Sequence, residues 1–363
     1  MKALYRQVGQ LLVAGFAGHS VPSELRSLAG EWGLGGAVLF SRNIGEPEQV
    51  AELAFELQEL SKDVPLWVGV DQEGGRVARL RAPFTEWPAM ALLGRRGDIG
   101  LTKRFATALA DELSAVGVNL DFAPVLDLYN ESADLVIGDR ALSSDESIVG
   151  RLGRVIIEGL QSKGIAACAK HFPGHGAARA DSHLELPVIE HPPERLRETE
   201  LGPFREAVDG GVAAVMTAHV LYPALDDQNP ATLSRVIVDT ILRRELGHRG
   251  LVATDDLEMG AITASQPTEQ AAVGAIAAGC DTLLVCGDSV DRHASVIEAV
   301  IHAVESNELE RRLVEDAWAR QVRVKADTLT KDRARRPLSR RALQNRLGNQ
   351  FHQSVAAEIS STG

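Results

Sequence analysis

Short apolar runs rich in β-branched residues recur along the chain, and between them lie segments whose apolar positions repeat at helical spacing. A brief apolar run suits a buried strand and a period of 3.6 suits an amphipathic helix, so the alternation predicts repeated strand–helix units around a parallel sheet. Eight strands are expected: Gln10–Phe16, Gly36–Phe40, Leu66–Val70, Val118–Phe122, Ile165–Lys170, Ala213–Ala218, Leu251–Thr254 and Asp281–Val285. Helices are expected at Pro47–Ser61, where Val50, Leu53, Ala54, Leu57 and Leu60 share a face and Pro47 suits the first turn, and at Asp98–Ala115, where Leu101, Phe105, Leu109 and Leu113 recur every four residues.

Eight such units fit a closed α/β barrel of the (β/α)8 TIM type better than an open doubly wound sheet. No repeat of solenoid period and no Gly/Ser- or Pro-rich linker divides the first 325 residues, so residues 1–330 read as one barrel domain. Residues 331–363 read as a basic C-terminal extension, not a separate domain. It carries Arg333, Arg335, Arg336, Arg340, Arg341 and Arg346, then a last helix around Gln350–Ile359, and its charge suits docking on an acidic body.

With 45% hydrophobic and 24% charged residues, the composition excludes disorder and collagen-like repetition. Lys plus Arg total 38 against 50 Asp plus Glu, and the resulting charge of −12 repels phosphates and anionic lipid, so neither nucleic acid nor membrane is expected as a partner. Cys168, Cys280 and Cys286 each sit inside an apolar run and read as reduced core thiols. The apolar stretch Leu11–Phe16 is too short to span a bilayer and has no convincing cleavage site beside it, so a cytoplasmic location is expected.

Barrel enzymes assemble their sites at the C-terminal ends of strands, and polar residues cluster at four such ends here. The third strand runs into Asp71-Gln72-Glu73-Gly74-Gly75-Arg76-Val77-Ala78-Arg79 and the fifth into Lys170-His171-Phe172-Pro173-Gly174-His175-Gly176. The sixth ends at His219, and the seventh at Thr254-Asp255-Asp256-Leu257-Glu258-Met259. After the fifth strand a long loop carries Asp181-Ser182-His183. In an extended stretch residues two apart share a side, so Asp181 can orient the His183 ring for proton transfer; an Asp-capped turn with a surface histidine fits the same tripeptide. Asp255 would emerge at the barrel mouth as a carboxylate nucleophile, with Lys170, Arg79 and Arg140 available to keep it ionised or to bind hydroxyls.

These motifs, in this order and spacing, resemble the family three glycoside hydrolases, specifically the single-domain bacterial β-N-acetylglucosaminidases of peptidoglycan recycling. The resemblance also takes in Gly138-Asp139-Arg140 and spans most of the chain. It implies Asp255 as nucleophile, Asp181 and His183 as a catalytic dyad on a mobile loop with His183 the acid/base, and Asp71, Arg79, Arg140, Lys170 and His171 as substrate-binding positions. A retaining double displacement follows, on terminal β-linked N-acetylglucosamine such as that carried by 1,6-anhydro-N-acetylmuramic acid. The implied partner is a small carbohydrate, with no cofactor and no metal. Arg179-Ala180 before the dyad departs from the family pattern, and the chain after Lys331 is expected to hold no second domain.

Four other readings compete: a phosphorylase of the same family, in which a neutral histidine lets phosphate approach; a Schiff-base aldolase using Lys170; a metal site from His171, His175, His183 and Asp181; and a sugar-binding protein without catalysis.

Overall fold

Strands β1 (Leu12–Ala14), β2 (Gly36–Leu39), β3 (Trp67–Val70), β6 (Leu120–Asp121), β7 (Ala166–Phe172), β8 (Ala214–Thr217), β9 (Leu251–Asp256) and β10 (Thr282–Val285) close into one parallel barrel, with β10 pairing back to β1. Between β3 and β6, β4 (Gln72–Gly74) and β5 (Val77–Ala78) make a small antiparallel hairpin. The computed structural model describes residues 2–61, 63–131, 136–178, 180–329 and 336–361; Arg179, Lys331, Arg333 and Arg335 lie outside the described residues.

Each expected barrel strand is present, generally shorter than its apolar run, whereas β7 and β9 each extend two residues further, β7 through His171 and Phe172 and β9 through Asp255 and Asp256. The hairpin is the difference: the stretch after β3 reads as loop in the sequence because its residues are polar. Both strand faces are apolar because both are covered. Val13, Val38, Trp67, Leu120, Phe122, Cys168, Met216 and Leu284 fill the barrel interior, while Leu12, Leu39, Val68 and Val70 pack outward beneath the helices. Cys168, Cys280 and Cys286 are all free and buried.

The helices end where their caps allow. Asp98 caps Ile99–Ala115 by accepting from Leu101 N at 2.9 Å, and Asp145 caps Glu146–Gln161 through Ser147 N and Ile148 N. These two helices pack on one another and on the strands through Phe105, Leu109, Leu152 and Ile156.

The helix Arg311–Thr328 closes the N-terminal end of the barrel. Its Gln321 accepts from Trp67 Nε1 at 2.8 Å and donates to Thr282 Oγ1 at 2.6 Å, and Lys325 Nζ donates to Gly35 O at 2.7 Å. Gly36 stands opposite Trp67 in register, and a Cβ there would lie 2.5 Å from the Trp67 Cβ, so the floor needs a glycine at that position. Asp281, fully buried beside Gln321, pairs with Arg243 and Arg320. After the described chain resumes at 336, the helices Arg340–Arg346 and Gln350–Ser360 lie on the helical shell, with Arg346 Nη2 2.5 Å from Asp111 and His352 Nδ1 3.0 Å from the buried Glu112.

Candidate active site

At the opposite end of the barrel a pocket of about 950 Å³, counting its open mouth, is lined by residues from most of the strand ends. That size and its mixture of apolar walls with convergent polar groups are those of a small-molecule site. Every expected site residue except Asp181 lines it directly, and Asp181 meets it through His183.

The hairpin supplies the acidic wall. Residues of an extended strand alternate in direction, so Asp71 and Glu73 face the pocket while Gln72 turns away and accepts from Arg79 N and Leu80 N, each at 2.9 Å. Gly74 and Gly75, at φ of +108° and +56°, make the turn that returns the chain to Arg79. Lys170 Nζ, from β7, lies 2.8 Å from Asp71 and 2.7 Å from Glu73. Arg140, on the turn Gly138–Arg140, grips Glu73 with two 2.8 Å hydrogen bonds, and Arg79 Nη2 reaches Asp71 at 3.2 Å.

Burial alone would raise the Glu73 pKa, but Lys170 and Arg140 outweigh it and hold the carboxylate far below its usual range. Asp71 is lowered against burial in the same way by Lys170 and Arg79. Burial pulls Lys170 down, yet Asp71 and Glu73 push it above the ordinary lysine value. A lysine held as ammonium is no Schiff-base nucleophile, which removes the aldolase reading. Of the three cations, Arg79 pairs with Asp71 through Nη2 and keeps its Nε buried without a partner among the described residues.

Asp255 stands at the end of β9, half-buried, with its Oδ1 accepting from Asp256 N at 2.8 Å. Burial would raise its pKa; His171, His219, that backbone N–H and Lys170 together bring it below the usual value, so it is a carboxylate at neutral pH. The expected neighbours therefore differ: Arg79 and Arg140 serve Asp71 and Glu73, and the two histidines act on Asp255. His219 itself is buried beneath the pocket rather than in it, bonded to Thr232 Oγ1 at 2.7 Å and Asp256 O at 2.9 Å. Asp256, on the pocket wall, is pushed up to about 6 by burial.

The tripeptide Asp181-Ser182-His183 combines both expectations for it. It is a turn, with Leu184 N donating to Asp181 O, not an extended stretch. Asp181 Oδ1 accepts from His183 N at 2.9 Å, capping that turn, and also meets His183 Nδ1 at 2.7 Å. An ionised Asp181 only accepts, so the proton sits on Nδ1 and Nε2 is left for a ligand. His171 is oriented identically by Asp127, 2.6 Å from its Nδ1.

Asp127 and Phe40 have no assigned part in the sequence reading, His175 enters it only through the metal-site alternative, and Glu73 and Asp256 only through their motifs. Two signals pointed to the acids: Glu73 lies two residues from Asp71 on one strand face, and Asp127 is a carboxylate in the apolar run Ala123–Leu128. Among the described residues no group of three or more His, Cys, Asp or Glu side chains is arranged to hold a metal ion.

Residues 3–324 match the model of the glycosyl hydrolase family 3 N terminal domain. A β-hexosaminidase of Nitrosomonas eutropha is 41% identical over 285 residues, covering 76% of this chain and 81% of its own. A fungal multi-domain GH3 β-N-acetylglucosaminidase superposes with a TM-score of 0.93 at 32% identity, over 98% of this chain but 42% of that one, so the chain spans less than half of that larger protein. NagZ from Neisseria gonorrhoeae, solved in complex with N-trifluoroacetyl-D-glucosamine, superposes with a TM-score of 0.78 at 33% identity, over 97% of this chain and 98% of its own.

Proposed function

The chain belongs to glycosyl hydrolase family 3 and is a glycoside hydrolase, and from that premise we propose that it is a retaining exo-β-N-acetylglucosaminidase. Its substrate is a glycan or muropeptide ending in β-linked N-acetylglucosamine, including N-acetylglucosamine on 1,6-anhydro-N-acetylmuramic acid. One observation carries the reading: a carboxylate held ionised, Asp255, and an aspartate-oriented imidazole, His183, open into one pocket whose wall is a cluster of charged hydrogen-bonding groups.

In the first step an Asp255 oxygen bonds to the anomeric carbon as the bond to the aglycone oxygen breaks, and protonated His183 gives its Nε2 proton to that oxygen. In the second, neutral His183 takes a proton from water, whose oxygen displaces Asp255 and releases the sugar. The double displacement follows the general template for retention, with imidazole replacing the second carboxylate. Asp181 supports the imidazolium that alternates between these steps. Asp71, Arg79, Arg140, Lys170 and His171 hold the sugar hydroxyls.

Water is favoured over phosphate as the acceptor. The pocket's three cations, Lys170, Arg79 and Arg140, are already committed to Asp71 and Glu73, and Asp255 and Asp256 add carboxyl groups around the anomeric position. An incoming phosphate would meet no uncommitted cation among the described lining residues.

The reading places the protein in peptidoglycan recycling in the cytoplasm, where three buried free cysteines stay reduced. No helix among the described residues is long and apolar enough to cross a membrane.

The test is a muropeptide digest with and without phosphate. Free N-acetylglucosamine at an unchanged rate is expected in both, N-acetylglucosamine 1-phosphate would make the enzyme a phosphorylase, and ligand retention without cleavage would make it a binding protein. Asp255→Ala is expected to lower kcat by at least roughly 10³-fold. An unimpaired Asp255→Ala enzyme would overturn the assignment.

A further inference from the structure

Asp181 and His183 are tied to each other by two hydrogen bonds inside one turn, which orients the imidazole but does not place it over the pocket. Placement needs an anchor outside the turn. Ser182, between them, points the other way: it is 2% exposed, against 64% for the His183 side chain, and its Oγ lies 3.1 Å from His175 Nε2.

His175 is equally buried and is itself held, since its backbone N–H donates to Asp127 at 2.6 Å. The same Asp127 carboxylate fixes the ring of His171. One hydrogen-bonded chain therefore runs from Asp127, in the segment after β6, through His175 and Ser182 to the dyad. Burial pushes His175 down to about 4, so the ring is neutral and keeps one nitrogen as an acceptor. The loop backbone meets the turn that follows Asp255 on its other side: Ala261 N donates to Ser182 O at 3.1 Å and Gly260 N to His183 O at 3.2 Å. A Cβ on Gly260 would lie 2.7 Å from His183 O, so this approach requires a glycine.

We propose that Ser182 and His175 form a latch that holds His183 in register with Asp255, making both of them positioning residues for the acid/base. The inference rests on the assignment of His183 and Asp255 above. A displacement of His183 of about 1 Å is enough to cost on the order of 10²-fold in rate, and releasing the side chain that ties the turn to His175 permits such a shift. The loss falls on the proton transfer, because Asp255 and the charged wall of Asp71, Glu73, Lys170, Arg79 and Arg140 are held by separate contacts.

The experiment compares kcat/KM, which reports formation of the glycosyl enzyme, for two β-N-acetylglucosaminides: a 2,4-dinitrophenyl glycoside, whose leaving group needs no proton, and a methyl glycoside, whose leaving group does. Ser182→Ala is expected to lower the methyl glycoside by roughly 10- to 100-fold and the dinitrophenyl glycoside by less than about three-fold. His175→Ala should do the same, His175→Gln should restore most of the loss, and the double variant Ser182→Ala/His175→Ala should be no more selective than either single one. His183→Ala is measured alongside. If it discriminates between the two substrates while Ser182→Ala lowers both equally or neither, the latch is wrong and the acid/base stands; if His183→Ala does not discriminate, the acid/base assignment fails and the latch with it.

Discussion

Two lysines are buried at opposite ends of the same barrel and are pushed in opposite directions. Lys170, at the mouth, has its ammonium within 2.8 Å of two carboxylates, which outweigh burial and raise its pKa above the usual value. Lys325, at the floor, is just as enclosed but meets only neutral acceptors, Gly35 O at 2.7 Å and Gln10 Oε1 at 3.2 Å, with the Trp67 ring 5.6 Å away. Burial brings it from 10.5 to about 7. Dehydrating an ammonium costs several kcal/mol, and only a paired charge recovers that cost in full. The mouth therefore holds a permanent charged wall that a sugar can use, whereas the floor holds an amine that the fold tolerates by releasing its proton.

The largest test of this contrast is Lys170→Met, which leaves Asp71 and Glu73 buried with one cation fewer. Stability is expected to fall by about 3–5 kcal/mol in urea titrations, and kcat/KM by roughly 10²- to 10³-fold. A folded variant with unchanged kcat/KM would show that the wall does not touch substrate.

Lys325→Met should act with the opposite sign. Between pH 7 and about 10 the folded Lys325 is neutral while the unfolded one is protonated, so unfolding takes up a proton and this group makes stability rise with pH. Lys170 adds no slope there: its folded pKa lies above the unfolded one, so its contribution is complete below the unfolded value and fades only above it. The variant is expected to be a few kcal/mol more stable than wild type at pH 7, to lose the lysine's part of that slope, and to keep kcat/KM within about two-fold. Urea midpoints at pH 7 and 9 measure the difference, and a destabilised variant would mean that the ammonium is paired after all.

The smallest effect is expected for Trp67→Phe, which keeps an aromatic ring under the barrel but removes the hydrogen bond to Gln321. A loss of about 1 kcal/mol with unaltered kcat would confine the floor to stability.

Much of the molecule is legible in its sequence. Strand positions follow from apolar runs, because a strand covered on both faces has almost no polar choices, and Asp98 is readable as a cap because its carboxylate serves a local amide three residues on. The hairpin at 72–78 was not legible as strand, since its residues are chosen for the pocket and for the bonds of Gln72 rather than for an apolar face. Asp181 and His183 are legible as a pair, but their backbone is open to two readings in the sequence: one Asp181 oxygen both caps a turn and holds the ring, and spacing alone does not distinguish that turn from an extended stretch.

By itself the sequence determined the eight strands, the order of the motifs along the rim and the chemistry each side chain can perform, because these depend on local periodicity and on residue type. Tertiary structure decided which charges meet. Lys170 lies about a hundred residues from Asp71 and Glu73 in the chain and under 3 Å from each in space, and Lys170 and Lys325 carry the same side chain with opposite shifts. A charge inside a protein is governed by the few groups within hydrogen-bonding reach, and barrel closure, not sequence proximity, chooses those groups.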